Sequence, residues 1–83
     1  MKNKLQVKVL GSGCPKCKKL LEDCQKVFDK KEIQVDIEYI TDIEKIISLG
    51  VISTPALVIN DQTVLSGFLP SRQELEEKID KFL

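Results

Sequence analysis

Apolar and polar residues alternate along the first segment of the chain, which predicts a strand. Its apolar positions are Leu5, Val7 and Val9, separated by Gln6 and Lys8. The sequence Gly11-Ser12-Gly13 then predicts a tight turn. From Pro15 onward the period changes, because apolar residues recur at spacings of three and four, as on one face of a helix. These residues are Cys17, Leu20, Leu21, Cys24, Val27 and Phe28.

Alternation returns between Ile33 and Tyr39, where charged or amide side chains separate the apolar ones. A strand with one polar side of this kind is typical of a position near a sheet edge. Asp42 has the side chain of a helix cap, and the isoleucines after it predict a short helix. Gly50 suits the position just past the end of that helix.

Two apolar runs separated by turn-forming residues predict a hairpin in the second half of the chain. The runs cover residues 56–59 and 63–65, with Asn60 and Asp61 between them. Ser71 and Glu74 have the spacing of a capping box, which predicts the start of a terminal helix. The apolar side of that helix carries Leu75, Ile79, Phe82 and Leu83.

The element order is therefore βαβαββα. It predicts one α/β domain over residues 1–83, with a four-stranded mixed sheet flanked by three helices. The two βα crossovers predict parallel pairing in the first part of the sheet, and the hairpin adds an antiparallel strand. Gln6 and Lys8 give the first strand a polar side, although a central parallel strand is normally apolar on both faces. We therefore expect the short second helix to cover that side incompletely.

The composition narrows the range of possible functions and partners. The 83 residues allow one core and no second lobe. The 13 basic residues balance the 13 acidic ones, so we expect neither a nucleic acid nor a membrane as partner. No apolar run approaches the ~20 residues that cross a bilayer, and residues 5–10 are too few for the apolar core of a signal peptide. Three cysteines in such a chain indicate reactive or buried thiols in a reducing compartment, and we expect a cytoplasmic monomer.

The cysteine pair Cys14-Pro15-Lys16-Cys17 carries the candidate chemistry. Cysteines three apart at a helix start lie on one face of its first turn, close enough to form a disulfide. Cys14 would occupy the cap, where unpaired N–H groups and the helix dipole favour a thiolate, with a small contribution from Lys16 and Lys18. Cys17 would be more shielded, and Pro15 suits the first helical position. We expect Cys14 to attack a substrate disulfide and Cys17 to resolve the resulting mixed disulfide.

Three alternatives to this catalytic role stay open. A purely structural disulfide would stabilise the chain weakly, because so short a loop removes little entropy from the unfolded state. Two thiolates could instead carry Cu(I) or a similar thiophilic metal, although the chain has no histidine and a zinc site would need a second chain. The pair could also switch binding to another protein in a redox-sensing module. We expect no resident metal and no cofactor.

Cys24 and the lysines of the first helix are not expected to belong to the site. Cys24 lies within the apolar stripe, about 10 Å along the axis from Cys17, too far to share a metal or a disulfide with it. A buried small apolar side chain is the favoured interpretation. Lys18, Lys19, Lys30 and Lys31 are expected to form a solvated helix face.

One predicted strand is followed by Gly13-Cys14-Pro15-Lys16-Cys17, and another, apolar strand is preceded by Thr54-Pro55. With these two motifs the chain resembles the thioredoxin superfamily over nearly its whole length. The likeness extends to small bacterial and archaeal thioredoxin-like proteins called redox-active disulfide proteins. It implies a thiol–disulfide oxidoreductase acting on a disulfide-containing protein, with a separate reductase as partner. It also implies that Pro55 is cis and faces the cysteines, and that the backbone of Thr54 pairs with the substrate.

The chain departs from that family at several positions. No tryptophan precedes Cys14, and Lys8 stands where thioredoxin has a buried carboxylate that accepts a proton from the resolving cysteine. An inward-pointing ammonium there would instead lower both thiol pKa values, whereas a lysine facing water would not. Residues 66–69 do not match the glycines and aspartate with which glutaredoxins hold glutathione, so glutathione is not expected as the dedicated reductant. The heavy-metal-associated domain shares the cysteine spacing but runs βαββαβ.

Overall fold

The computed structural model describes residues 5–13 and 15–82, which form four strands and three helices in the predicted order. The bounds are β1 Leu5–Leu10, α1 Pro15–Lys30, β2 Val35–Ile40, α2 Ile43–Ser48, β3 Ala56–Ile59, β4 Gln62–Ser66 and α3 Arg72–Phe82. The strands make one mixed sheet. The predicted α/β fold is thereby confirmed.

The strand order in the sheet is β2-β1-β3-β4. β1 is central and runs parallel to β2, with Val9 opposite Tyr39 and Leu10 opposite Ile40. β3 is antiparallel to β1, with Leu10 opposite Ala56, and β4 is antiparallel to β3. β2 is an edge strand, as its alternating pattern predicts.

One pairing differs from the prediction. The second crossover was expected to bring β3 back parallel to its neighbour, but β3 is antiparallel to β1. The reason is the length of α2, which has six residues and so rises only ~9 Å. Six residues of β2 extend about 20 Å, so α2 cannot return the chain to the opposite end of the sheet. β3 therefore starts at the edge where β2 ends and runs in the opposite direction.

Helices α1 and α3 cover one face of the sheet, and α2 covers part of the other. The first core layer contains buried residues of β1, α1, β3, β4 and α3, with Phe28 as its largest side chain. The second is smaller and consists of Leu10, Ile40, Ile46, Val51, Ala56 and Val58. This smaller layer lies at the end of the sheet where β1 stops, which leaves the other end of that face open.

The open end of that face carries the polar residues of β1, as predicted. Gln6 is exposed, and the half-buried side chain of Lys8 places its Nζ 3.8 Å from Asp61 Oδ1 in the turn between β3 and β4. Asn60 and Asp61 both have positive φ, at 49° and 66°. Asparagine and aspartate tolerate that region better than other side chains, which explains why the hairpin turns at this point.

Capping interactions place the starts of α2 and α3. Asp42 Oδ1 accepts a hydrogen bond of 3.0 Å from the backbone N–H of Glu44. Ser71 Oγ accepts one of 3.2 Å from the backbone N–H of Glu74, which is one of the two bonds of the predicted capping box. The Glu74 carboxylate accepts from the Ser71 hydroxyl at 3.3 Å. In the part of the chain that is described, no helix has the length and hydrophobicity needed to cross a membrane.

Candidate active site

The predicted cysteine motif joins the end of β1 to the start of α1. Cys14 lies outside the described residues, so its assigned role stays a prediction. Cys17 is in the first turn of α1 and is fully buried. Pro15 begins the helix, where its missing N–H leaves no hydrogen bond unmade, and both Pro15 and Lys16 are exposed. The strand, turn and helix order predicted around the motif is confirmed.

Gly11 makes room for the side chain of Cys17. It is buried, and its backbone N–H donates a 3.0 Å hydrogen bond to the carbonyl of Ile40 at the end of β2. A Cβ at Gly11 would lie 2.5 Å from Cys17 Cβ and nearer still to Cys17 Sγ, so no larger residue fits. Gly13 is required for another reason, because its φ is +86°. The sequence predicts the turn but not the contact between Gly11 and Cys17.

Thr54 and Pro55 lie at the same end of the sheet as the motif. Their peptide bond is cis, Pro55 is buried and Thr54 is exposed. Since Leu10 pairs with Ala56 in antiparallel register, the residues after β1 face the residues before β3. Gly67 donates its backbone N–H to the Pro55 carbonyl at 2.9 Å. Residues that are far apart in the sequence therefore meet at one end of the sheet.

A cavity of about 160 Å³ opens between the motif loop and the proline turn. Ser12 and Thr54 border it on either side, and the rest of its wall is aliphatic: Ile43, Ile46, Ile47, Val51 and Ile52. Ile43 and Ile47 are 64% and 59% exposed, and Ile52 is 92% exposed. Sequence reasoning missed this surface. The signal was present in Ile43 and Ile47, four residues apart on a face of α2 other than the one that carries buried Ile46.

Charge at the start of α1 favours an anion. The first turn contains no acidic residue, and the exposed Lys16 and Lys18 follow the helix start. The partial positive charge of the helix N-terminus acts in the same direction. Both effects stabilise a thiolate at the motif.

Asp23 is a buried carboxylate on α1 that the sequence analysis did not single out. Its Oδ1 lies 3.1 Å from Lys19 Nζ and 3.5 Å from a guanidinium nitrogen of Arg72 at the start of α3. The Lys19 pair is visible in the sequence at a spacing of four, but the Arg72 pair depends on the packing of α3. The cluster ties the two helices together and compensates the buried charge.

Cys24 is fully buried in the core layer beneath α1, as predicted. Burial, with a contribution from the negative charge of Asp23, raises the pKa of its thiol from 9.0 to about 12. A thiol of this kind is protonated at neutral pH and is therefore a poor nucleophile. Both observations support the interpretation of Cys24 as a buried core residue.

Lys8 does not reach the motif. Alternation along β1 puts Val7, Val9 and Gly11 on the face covered by α1, and Lys8 at the open end of the opposite face. Its ammonium pairs with Asp61 instead. Of the two orientations that the sequence allows, the structure shows the one directed away from Cys17. Among residues 5–13 and 15–82, no cluster of three or more cysteine or carboxylate side chains could hold a metal ion.

Comparison with known proteins identifies the family of the chain. The family model described as thioredoxin domain matches residues 5–80. A thioredoxin of Methanocaldococcus jannaschii is 31% identical over 93% of this chain and 88% of its own length. A thioredoxin of Methanothermobacter thermautotrophicus is 20% identical over 88% of this chain and 95% of its own.

A solved structure described as that of a malarial protein has the same fold. It superposes with a TM-score of 0.68 over 98% of this chain and 99% of its own, at 18% identity. The fold and the family model define a thiol–disulfide oxidoreductase of the thioredoxin type. The chain belongs to the thioredoxin domain family. Its likeness to small archaeal thioredoxins confirms the resemblance drawn from the sequence.

Proposed function

We propose that this chain exchanges disulfides with protein or peptide substrates through Cys14 and Cys17. One observation carries the proposal. Cys17 is fully buried in the first turn of α1, against Gly11, at the end of the sheet that also holds Thr54 and Pro55. A cysteine so placed is shielded from external disulfides, yet it lies one helical turn from position 14. That arrangement suits a resolving thiol and leaves the first attack to Cys14.

The reaction has two displacement steps. In the first, the Cys14 thiolate attacks one sulfur of the substrate disulfide, a bond forms between them, and the other substrate sulfur leaves as a thiolate. In the second, the Cys17 thiolate attacks the Cys14 sulfur, and the second substrate thiolate leaves. The substrate gains two electrons and the protein is left with a Cys14–Cys17 disulfide. A separate reductase must then supply two electrons for another cycle.

The side chains around the motif have supporting roles. Lys16 and the N-terminal end of α1 favour the attacking thiolate. Pro15 and Gly13 set the helix start and the turn before it. The exposed Thr54, beside the buried Pro55, presents backbone on which an extended substrate could lie.

The aliphatic cavity supports a peptide rather than a small hydrophilic disulfide as substrate. Its volume of about 160 Å³ suits one branched aliphatic side chain, and Ser12 and Thr54 at its border put it between the motif loop and the proline turn. A substrate cysteine flanked by leucine or isoleucine would bury that neighbour against Ile47 and Ile52. Burying such a side chain contributes about 1.5–3 kcal/mol, which glutathione disulfide cannot provide.

The test is to trap the intermediate. We expect the Cys17→Ser variant to accumulate a mixed disulfide with a disulfide-linked peptide, as detected by mass spectrometry. The Cys14→Ser variant should be inactive, and Cys24→Ala serves as the matched control because its thiol is buried outside the site. Undiminished exchange by Cys14→Ser would refute the mechanism. A faster reaction with glutathione disulfide than with an isoleucine-flanked peptide would refute the substrate preference.

A further inference from the structure

Tyr39 brings a polar group to the face of the sheet that holds Cys17. It lies in β2 opposite Val9 of β1, and its side chain packs on the core layer beneath α1. The residue as a whole is half-buried, but its hydroxyl oxygen is shielded from solvent. The ring therefore extends inward from the sheet edge and carries its hydroxyl into the protein.

The hydroxyl and the Cys17 thiol border the same small space. A Cβ built on Gly11 would lie 3.6 Å from Tyr39 Oη, 2.5 Å from Cys17 Cβ and nearer still to Cys17 Sγ. Because Gly11 has no side chain, nothing from that residue separates the two groups. The phenol and the resolving thiol are thus close neighbours across Gly11.

A tyrosine hydroxyl carries its proton at neutral pH and donates it in hydrogen bonds. The resolving step needs Cys17 as a thiolate, which is a charged acceptor in a buried position. We propose that Tyr39 is a positioning residue for Cys17, whose hydroxyl donates a hydrogen bond to the thiolate as it attacks the Cys14 sulfur. The proton of the tyrosine is not transferred in this step. The role presupposes the exchange reaction proposed above.

The charged side chains around Cys17 do not provide this hydrogen bond. On α1, Lys16 and Lys18 are exposed, while Lys19 pairs with Asp23, which also pairs with Arg72 of α3. Among residues 5–13 and 15–82, these are the charges on the α1 face of the sheet near the motif.

The charged residues of β1 and β2 near this position lie on the other face of the sheet. Lys8 pairs with Asp61, and Glu38 is exposed and pairs with Lys45 of α2. β3 carries no charged residue. The Tyr39 hydroxyl is therefore the polar group that the fold places next to the resolving thiol from a neighbouring strand.

The test follows the two steps separately in the Cys24→Ala background. Rapid mixing of the reduced protein with an aromatic disulfide whose thiolate absorbs visible light should release that thiolate in two phases. The first phase reports attack by Cys14 and the second reports resolution by Cys17. We expect Tyr39→Phe to leave the first phase unchanged and to alter the second in a pH-dependent way.

The direction of that change is specific. Loss of the hydrogen bond lowers the thiolate fraction about tenfold at neutral pH, but a less stabilised thiolate is about threefold more nucleophilic. The second phase of Tyr39→Phe should therefore be about threefold slower near neutral pH and about threefold faster where the thiol is fully ionised. The two pH profiles cross, which a purely structural loss of packing would not produce.

The control for charge is Lys8→Gln, which alters the same sheet on its opposite face and should leave both phases unchanged. If Tyr39→Phe does not fold, a second test replaces the chain's one tyrosine by 3-fluorotyrosine. The fluorinated hydroxyl is a stronger hydrogen-bond donor, so the pH profile of the second phase should move to lower pH. The inference is overturned if the pH profile of the second phase is the same in the protein with Tyr39 and in the protein changed at that position. Release of only one thiolate per protein with Tyr39 intact would instead overturn the proposed exchange reaction.

Discussion

The backbone N–H of Gly67 donates a hydrogen bond of 2.9 Å to the carbonyl of Pro55, and so ties the end of β4 to the proline turn. Gly67 has a φ of +89°, and a Cβ at this position would come 3.3 Å from Ser53 Cβ. Any side chain there is strained by the backbone and presses on the residues before Pro55.

We therefore expect Gly67→Ala to lower the free energy of unfolding by about 1–2 kcal/mol and to slow disulfide exchange. The control is Gly50→Ala, at a φ of +82° with nothing within 4 Å of the added Cβ. Gly50→Ala should lose a similar amount of stability, measured by urea denaturation, but should exchange disulfides as fast as the parent protein. Equal exchange rates in the two variants would contradict a role for Gly67 in holding the turn.

The pKa of Cys24 predicts a pH dependence of stability. The folded protein holds this thiol protonated up to about 12, whereas the unfolded chain releases the proton near the ordinary value of 9.0. Above about pH 9 the unfolded state therefore binds fewer protons than the folded state, and stability falls as pH rises. The limiting slope is about 1.4 kcal/mol per pH unit.

Denaturation by urea at several pH values from about 8 to about 10.5 should show this decline, and Cys24→Ala should remove that part of it. At neutral pH the same variant should be less stable by about 1 kcal/mol through lost packing, with unchanged exchange activity. A Cys24→Ala protein whose stability falls with pH as steeply as that of the parent would show that the thiol is not the cause.

Asp23 is expected to stabilise the contact between α1 and α3. Asp23→Asn removes the charge that faces Lys19 and Arg72, and because both partners are about half exposed, we expect a loss of about 1–2 kcal/mol. The substitution also removes the smaller of the two causes that raise the pKa of Cys24, so that pKa should fall but stay above 9.0. Exposed Asp29 on the same helix supplies the control, since Asp29→Asn should change neither quantity. Both are measured by urea denaturation and by thiol titration.

Gly11→Ala tests the close packing against Cys17. The added methyl group would overlap the Cys17 side chain, which must move, and overpacking of this kind costs about 1–3 kcal/mol. We expect slow resolution and an accumulated mixed disulfide, detected by mass spectrometry after acid quenching. Gly13→Ala is the comparison, because it strains the backbone at a positive φ without meeting any atom within 4 Å. Equally fast resolution in Gly11→Ala and the parent protein would show that Cys17 does not depend on this space.

Much of the fold could be predicted because its signals are local. The caps at Asp42 and Ser71, the turn at Asn60 and the stripe of α1 each depend on residues within a few positions of one another. The direction of β3 could not be read in this way. It depends on the length of the path through α2 compared with the length of β2, and the βα order alone suggests parallel pairing.

The motifs of the candidate site can be recognised in the sequence, but their surroundings cannot. The cysteine spacing and the Thr54-Pro55 pair stand out in the sequence. The contact of Gly11 with Cys17 and the approach of Tyr39 depend on strand register, because parallel pairing puts Tyr39 opposite Val9 and so beside the turn that follows β1. The sequence alone predicts Tyr39 only as an apolar residue of an edge strand.

In the proposed exchange reaction, the burial of Cys24 links conformational stability to the accuracy of disulfide pairing. A third accessible thiol would compete with Cys17 for the Cys14 mixed disulfide and would close the wrong ring. The folded core prevents this because the Cys24 sulfur is both inaccessible and protonated. Wrong pairing then requires an opening of the packed layer between α1 and the sheet. Heat or denaturant increases the population of such openings. The fraction of mispaired disulfides should rise in proportion to that population.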